Sequence, residues 1–142
     1  MGVIIMNDKK VIKCEGLVDG VAEGIALVTL DNFSFLGGAD VETGEIVELG
    51  HSLKGHNLKG KILFFHSGRG SVGASSYLYY MGRRGTAPAG LGMVIPDPPV
   101  IIGAILAKIP VVKLSKEQLK QIKTGSKVKI DGSTGEIVIL NE

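Results

Sequence analysis

The run Ile62-Leu63-Phe64-Phe65 constrains this chain more than any other segment. Consecutive apolar residues without polar alternation describe a strand covered on both faces, which belongs inside a layered fold. The strand leads directly into His66-Ser67-Gly68-Arg69-Gly70-Ser71, after which the small residues Gly73-Ala74-Ser75-Ser76 open a helix. Backbone N–H groups at a glycine turn and a helix start converge and favour negative charge. A serine hydroxyl and a guanidinium are carried to the same place. The segment reads as an anion-holding corner with a candidate reactive hydroxyl.

Around this strand there is room for one domain, residues 1–142, with a genuine core but little space for a self-contained enzyme. Hydrophobic residues at 44% against 21% charged argue against disorder. A net charge of +2 gives no nucleic-acid footprint. The longest apolar region, Met93 to Val112, is interrupted by Pro96, Pro98, Pro99 and Pro110, which argues against a membrane span. The opening Met1-to-Ile5 run is too short for a signal peptide, so a soluble cytoplasmic protein is expected. Cys14 is the single cysteine, so the chain can form neither an internal disulfide nor a cysteine-built metal site. It reads as a small buried apolar residue.

Strands are expected over Lys10–Cys14, Val21–Leu30 with a break at Gly24, Ile62–Phe65, Val111–Leu114, Lys127–Ile130 and Glu136–Leu140. Three helices have readable ends. The first opens at Ser71 or Val72 and stops before Gly85, with Arg83 and Arg84 suiting its negative end. The second has Asp97 as cap, Pro98 at its first position and Val100–Ala107 as its body. The third has Ser115 and Gln118 as a capping box, Leu114 and Leu119 as a hydrophobic staple, and Gly125 past its end. Mixed strands with about three short helices predict an α+β domain with β/β/α layers. Asp40-Val41-Glu42-Thr43-Gly44-Glu45-Ile46-Val47 echoes Asp131-Gly132-Ser133-Thr134-Gly135-Glu136-Ile137-Val138. Two β-turns with a left-handed glycine explain the echo, and an ancient duplication is the alternative.

The glycine spacing fits two nucleotide motifs poorly. Gly68-x-Gly70-x-x-Gly73 lacks an acidic residue ending the next strand, because the nearest one, Asp97, sits in a helix-capping Asp-Pro-Pro. Gly68-x-x-x-x-Gly73-Ala74-Ser75 has alanine where a triphosphate loop needs lysine. Taken alone, Ser71 also reads as a plain helix N-cap.

Two separated motifs, Phe35-Leu36-Gly37-Gly38-x-Asp40-x-x-Thr43-Gly44 and Ser67-Gly68-Arg69-Gly70-Ser71, resemble the small subunit, or swivel domain, of the aconitase X family. The resemblance runs from Cys14-Glu15-Gly16 to the Asp131-Gly132-x-x-Gly135 hairpin. It implies a swivelling domain with Ser71 as catalytic base, and a large subunit that carries an iron–sulfur cluster and most of the substrate pocket. A single cysteine agrees, since a cluster takes several thiolates. The archaeal branch of the family implies dehydration of (R)-5-phosphomevalonate to trans-anhydromevalonate 5-phosphate on a route to isoprenoids. Family members acting on another hydroxy acid such as a hydroxyproline, or a non-catalytic anion-binding module, are the alternatives.

Within that resemblance Arg69 either stabilises the serine alkoxide or binds a substrate carboxylate or phosphate. In aconitase proper an arginine follows the serine, whereas here Val72-Gly73-Ala74 follow and Arg69 precedes. Gly70 and Gly38 would let backbone approach the phosphorylated hydroxy-acid substrate, and Asp40 would either orient a partner or serve an ordinary turn. His66 and Ser67 read as solvated strand-end residues, His51 and His56 as loop residues, and Arg83 and Arg84 as a solvated helix end.

Overall fold

The computed structural model describes residues 3–6, through their backbone, and residues 9–142. Met1 and Gly2, which head the opening apolar run, lie outside the described residues. In chain order the strands begin with β1 (Val3–Met6), β2 (Lys9–Lys13), β3 (Glu15–Val18) and β4 (Val21–Val28), followed by a short kinked turn, α1 (Phe35–Gly38). Strand β5 (Ile62–Phe65) leads to α2 (Gly73–Arg84), β6 (Gly90–Met93) to α3 (Pro98–Ala107), and β7 (Val111–Lys113) to the one-turn α4 (Lys116–Leu119). A hairpin of β8 (Lys127–Asp131) and β9 (Glu136–Asn141) follows.

The described strands form one sheet in the order β1-β2-β9-β8-β4-β5-β6-β7-β3. Pairings from β4 through β7 are parallel, and the others are antiparallel. Strand β4 serves both regions: Val21–Ile25 pair antiparallel with β8, and Ala26–Val28 pair parallel with β5. At the other end, β2 and β3 are one stretch of chain that leaves β9 for β7 at Cys14. The strand order therefore closes around a core.

Strand β5 divides that core into the expected layers. Ile62 and Phe64 face Ile130, Ile137 and Ile139 of the antiparallel layer. Leu63 and Phe65 face Leu78 and Met81 of α2 and Val100 and Ala104 of α3. All four β5 side chains are fully buried, each stabilising the fold by about 1.5–3 kcal/mol. The layering is β/β/α, as the mixed strands and few short helices predicted, and β5 is covered on both faces, as its uninterrupted apolar run predicted.

Several local expectations need correction. Gly24 does not break its strand; it pairs with Val128 just before β4 changes partners, and a Cβ there would lie 2.6 Å from the Gly60 carbonyl oxygen. Strands β1, β3 and β6 carry no clear signal in the sequence. In β6 the two glycines are there for space: a Cβ on Gly92 would lie 2.5 Å from the Phe64 ring, and one on Gly90 would lie 2.6 Å from Ile130 Cδ1. Helix α4 keeps the full Ser115–Gln118 capping box but ends at Leu119. The repeated Asp…Gly octapeptide is the same turn twice. Asp40 Oδ1 accepts from Glu42 and Thr43 N–H, Asp131 Oδ1 from Ser133 and Thr134 N–H, and Gly44 and Gly135 have φ of 84° and 80°.

Candidate active site

Parallel register sets the C-terminal ends of three strands side by side, with Val28 opposite Phe64 and Phe65 opposite Met93. Loops leaving parallel strands at one edge form the usual ligand crevice of such sheets. Here the loops after β4, β5 and β6 are knitted by backbone bonds. Phe33 N–H donates to Ser67 O at 3.0 Å, and Val94 and Ile95 N–H donate to His66 O at 3.0 and 2.9 Å. Ser67 is buried rather than solvated, and its hydroxyl donates to Ile95 O at 2.7 Å. It clasps two of the loops together.

Asp97 reaches into the glycine corner. It is only 6% exposed and stands at the N-cap of α3, but its side chain makes no cap bond. Pro98 and Pro99 have no N–H to offer it, and the carboxylate turns instead to the β5–α2 loop, where Oδ1 accepts from Gly70 N–H at 3.0 Å. Gly70 has φ of 71°, a left-handed conformation suited to glycine. A methyl on Gly68 would overlap the Asp97 carboxylate. One glycine supplies space and the other supplies conformation. The Gly70 N–H expected to face an external anion is thus already occupied by a carboxylate of the chain itself.

Arg69 extends to the other side of the corner. Its two terminal nitrogens donate to Glu48 Oε1 and Oε2 at 2.6 and 2.7 Å, and one of them also to Asn32 O at 3.3 Å. This fork holds the Glu48 carboxyl below its ordinary range and raises the guanidinium above its own. Arg69 is therefore an ion-pair partner, with Nε–H and one terminal N–H left to donate. Asp31 lies nearby. A Ser52 N–H bond of 3.0 Å and the Ser52 hydroxyl hold its carboxyl below the usual range.

His51 is a loop residue, as read, and is buried there. Its Nδ1 accepts from Leu53 N–H at 3.0 Å, so the neutral ring carries its proton on Nε2 and donates to Asn32 O at 3.1 Å. The result is an open polar cleft lined by Asp31, Asn32, Glu48, Gly50, His51 and Arg69.

Ser71 lies in the chain between Arg69, which lines this cleft, and α2. It is half-buried, and its hydroxyl has no hydrogen-bond partner among the described residues. It does not cap the helix: Val72 holds that position with helical dihedrals, and no side chain caps the N–H groups there. Beyond it, Leu36 of α1 packs under Gly73, where a Cβ would lie 2.6 Å from the leucine. Large apolar side chains stay uncovered around the corner, with Val72 82% and Leu49 86% exposed and Leu36 and Ile95 also open.

Of the residues singled out in the sequence, Arg69, Gly70 and Ser71 are contiguous, and Gly38 joins them through the ion pair. A Cβ on Gly38 would lie 3.2 Å from Glu48 Oε1. Asp40 is not brought in. Its Oδ1 is committed to its own turn, and that turn is tied to the far end of α2 by Thr86 Oγ1 donating to Val41 O at 2.7 Å and by an Arg84–Glu42 pair. A twelve-residue helix separates that end from Ser71 by roughly 17 Å. Arg84 and Arg83, the latter donating to the Tyr79 hydroxyl, are exposed there. The sequence reading missed Glu48 altogether and took Asp97 for a helix cap alone.

The residues present do not fit an iron–sulfur cluster. Among the described residues no three of His, Cys, Asp and Glu are gathered as a metal site. Cys14 stands alone, and burial pushes its thiol up to about 11, away from the thiolate a metal requires. Among the described residues no helix is long and apolar enough to cross a membrane.

Residues 11–139 match the family model of the aconitase X swivel domain. The phosphomevalonate dehydratase small subunit of Methanocella arvoryzae is 42% identical over 87% of this chain and 95% of its own. That of Methanocaldococcus jannaschii is also 42% identical, over 92% of this chain and 98% of its own. Among solved structures, the holo-form of Thermococcus kodakaraensis aconitase X superposes with a TM-score of 0.87 at 35% identity, covering 92% of this chain and 98% of the other. The sheet order, the strand-end corner and the match across residues 11–139 agree, and the chain belongs to the aconitase X swivel-domain family.

Proposed function

We propose that this chain is the small subunit of a cytoplasmic hydro-lyase that converts (R)-5-phosphomevalonate to trans-anhydromevalonate 5-phosphate and water. The observation that carries this reading is Ser71: a half-buried hydroxyl without a partner among the described residues, two residues after Arg69 and at the start of α2. The names of the relatives supply the substrate, and the word subunit in those names supports a larger partner. The exposed Leu36, Leu49, Val72 and Ile95, on the loops that build the corner, support the same partner, which would cover them.

Dehydration of a β-hydroxy acid requires a base to take a carbon-bound proton while hydroxide departs from the neighbouring carbon. Ser71 Oγ is the proton acceptor in this reading. A serine is a weak base unless its alkoxide is stabilised. One feature of this chain favours negative charge near Oγ: the start of α2, whose N–H groups no side chain caps. Arg69 and the backbone at Gly38 then border the substrate, while Gly70 N–H stays with Asp97. An iron–sulfur cluster, a Lewis acid for a leaving hydroxyl, belongs to the large subunit in this proposal.

Co-expression with a cysteine-rich large subunit tests the reading. The complex is expected to contain iron, to lose activity in oxygen and to dehydrate (R)-5-phosphomevalonate, while this chain alone is expected to be inactive and free of iron. Turnover of a hydroxyproline in place of phosphomevalonate would reassign the substrate. Failure of any large subunit to co-purify would favour an anion-binding module.

A further inference from the structure

Asp97 has one carboxylate oxygen on Gly70 N–H and another, Oδ2, that is buried without a hydrogen-bond partner. A buried carboxylate left half-satisfied is costly, so its retention calls for a reason. Its surroundings supply one. The two prolines that follow it remove the N–H groups of the first two helical positions, one of the two donors a capping aspartate would ordinarily use. Gly68 clears the space in which the carboxylate lies, and Gly70 adopts a positive φ that aims its N–H inward. Three features of the sequence, on two different loops, are thus fitted to one carboxylate.

We propose that Asp97 is the positioning residue of the serine corner: it fills the glycine turn from inside and fixes the direction in which Ser71 is presented. The substrate's negative groups are consequently received elsewhere, at the start of α2 and at the free donors of Arg69, and not in the Gly68–Gly70 turn. Asp97 touches neither substrate nor the reacting atoms. Its influence passes through the Gly70 N–H bond, one residue before Ser71.

The activity arm of the test rests on the proposed dehydratase reading, whereas the amide arm does not. In the full chain, hydrogen exchange of the Gly70 amide is followed by NMR for the wild type, Asp97→Ala and Asp97→Asn. Alanine removes the acceptor, and exchange is expected to accelerate by about tenfold or more; asparagine keeps an acceptor oxygen and is expected to preserve protection. In the complex with the large subunit, Asp97→Ala is expected to lower kcat by about tenfold or more with KM for (R)-5-phosphomevalonate nearly unchanged, and Asp97→Asn to restore most of it. Unchanged Gly70 exchange in Asp97→Ala, or loss of protection in Asp97→Asn equal to that in alanine, would overturn the proposal. A correctly protected Gly70 beside an inactive wild-type complex would instead count against the dehydratase reading alone. Should the alanine protein not fold, Gly70 protection in the asparagine variant decides.

Discussion

Arg69 and Glu48 meet through two parallel hydrogen bonds of 2.6 and 2.7 Å, joining loops that are 21 residues apart in the chain. The pair determines how much of the guanidinium remains available to a ligand, and it carries a pH signature. The folded Glu48 carboxyl titrates below its ordinary value of 4.5. Its contribution is therefore complete above about pH 4.5 and is lost as pH falls through the lowered folded value. Both side chains are partly exposed, which limits the pair to about 1 kcal/mol or less. Urea unfolding at pH 7 and pH 3 should show Glu48→Gln losing less stability between the two than the wild type does. Equal losses would contradict the assignment.

Gly68 and Asp97 should behave as a coupled pair. Gly68→Ala alone drives a methyl into the Asp97 carboxylate and is expected to destabilise the chain by about 1–3 kcal/mol. Asp97→Ala removes the two nearest carboxylate atoms and leaves only Cβ, 3.0 Å away, so the double variant should be more stable than the sum of the single effects predicts, with an interaction term of about 0.5 kcal/mol or more. Denaturant midpoints for the four proteins measure it. Additive effects would mean that the two residues do not meet.

The β6 strand offers a test of the layered core. Gly92 lies under Phe64, whose ring atoms would sit 2.5 and 3.0 Å from an added Cβ. Gly92→Ala should cost about 1–3 kcal/mol through overpacking. An unchanged midpoint in guanidinium would show that the ring does not cover that glycine.

What could be read from the sequence was local. Ile62–Phe65 gave away its two covered faces because every side chain in it is apolar, and the Ser115–Gln118 box needs only four residues to be recognised. Strand β6 was hidden for the opposite reason: its glycines answer to Phe64 and Ile130, which lie on other strands. The corner itself was legible as Gly68-Arg69-Gly70-Ser71. Its supports were not, because Glu48 joins it across a long connection and Asp97 joins it only through parallel register. That register places Phe65 opposite Met93, so Arg69 and Asp97, each four residues past those positions, leave the sheet side by side. Of the two readings of Asp40, the ordinary turn is the one the structure shows. Its spacing to Thr43 and Gly44 encodes a turn, and the same spacing recurs at Asp131, remote from the site.

The most direct test of the account is turnover by Ser71→Ala in the complex with the large subunit, with (R)-5-phosphomevalonate as substrate. Loss of a positioned base should lower kcat by about 10²–10⁴-fold, with KM nearly unchanged and complex assembly intact. Wild-type turnover in that variant would contradict the assignment of Ser71 as the base.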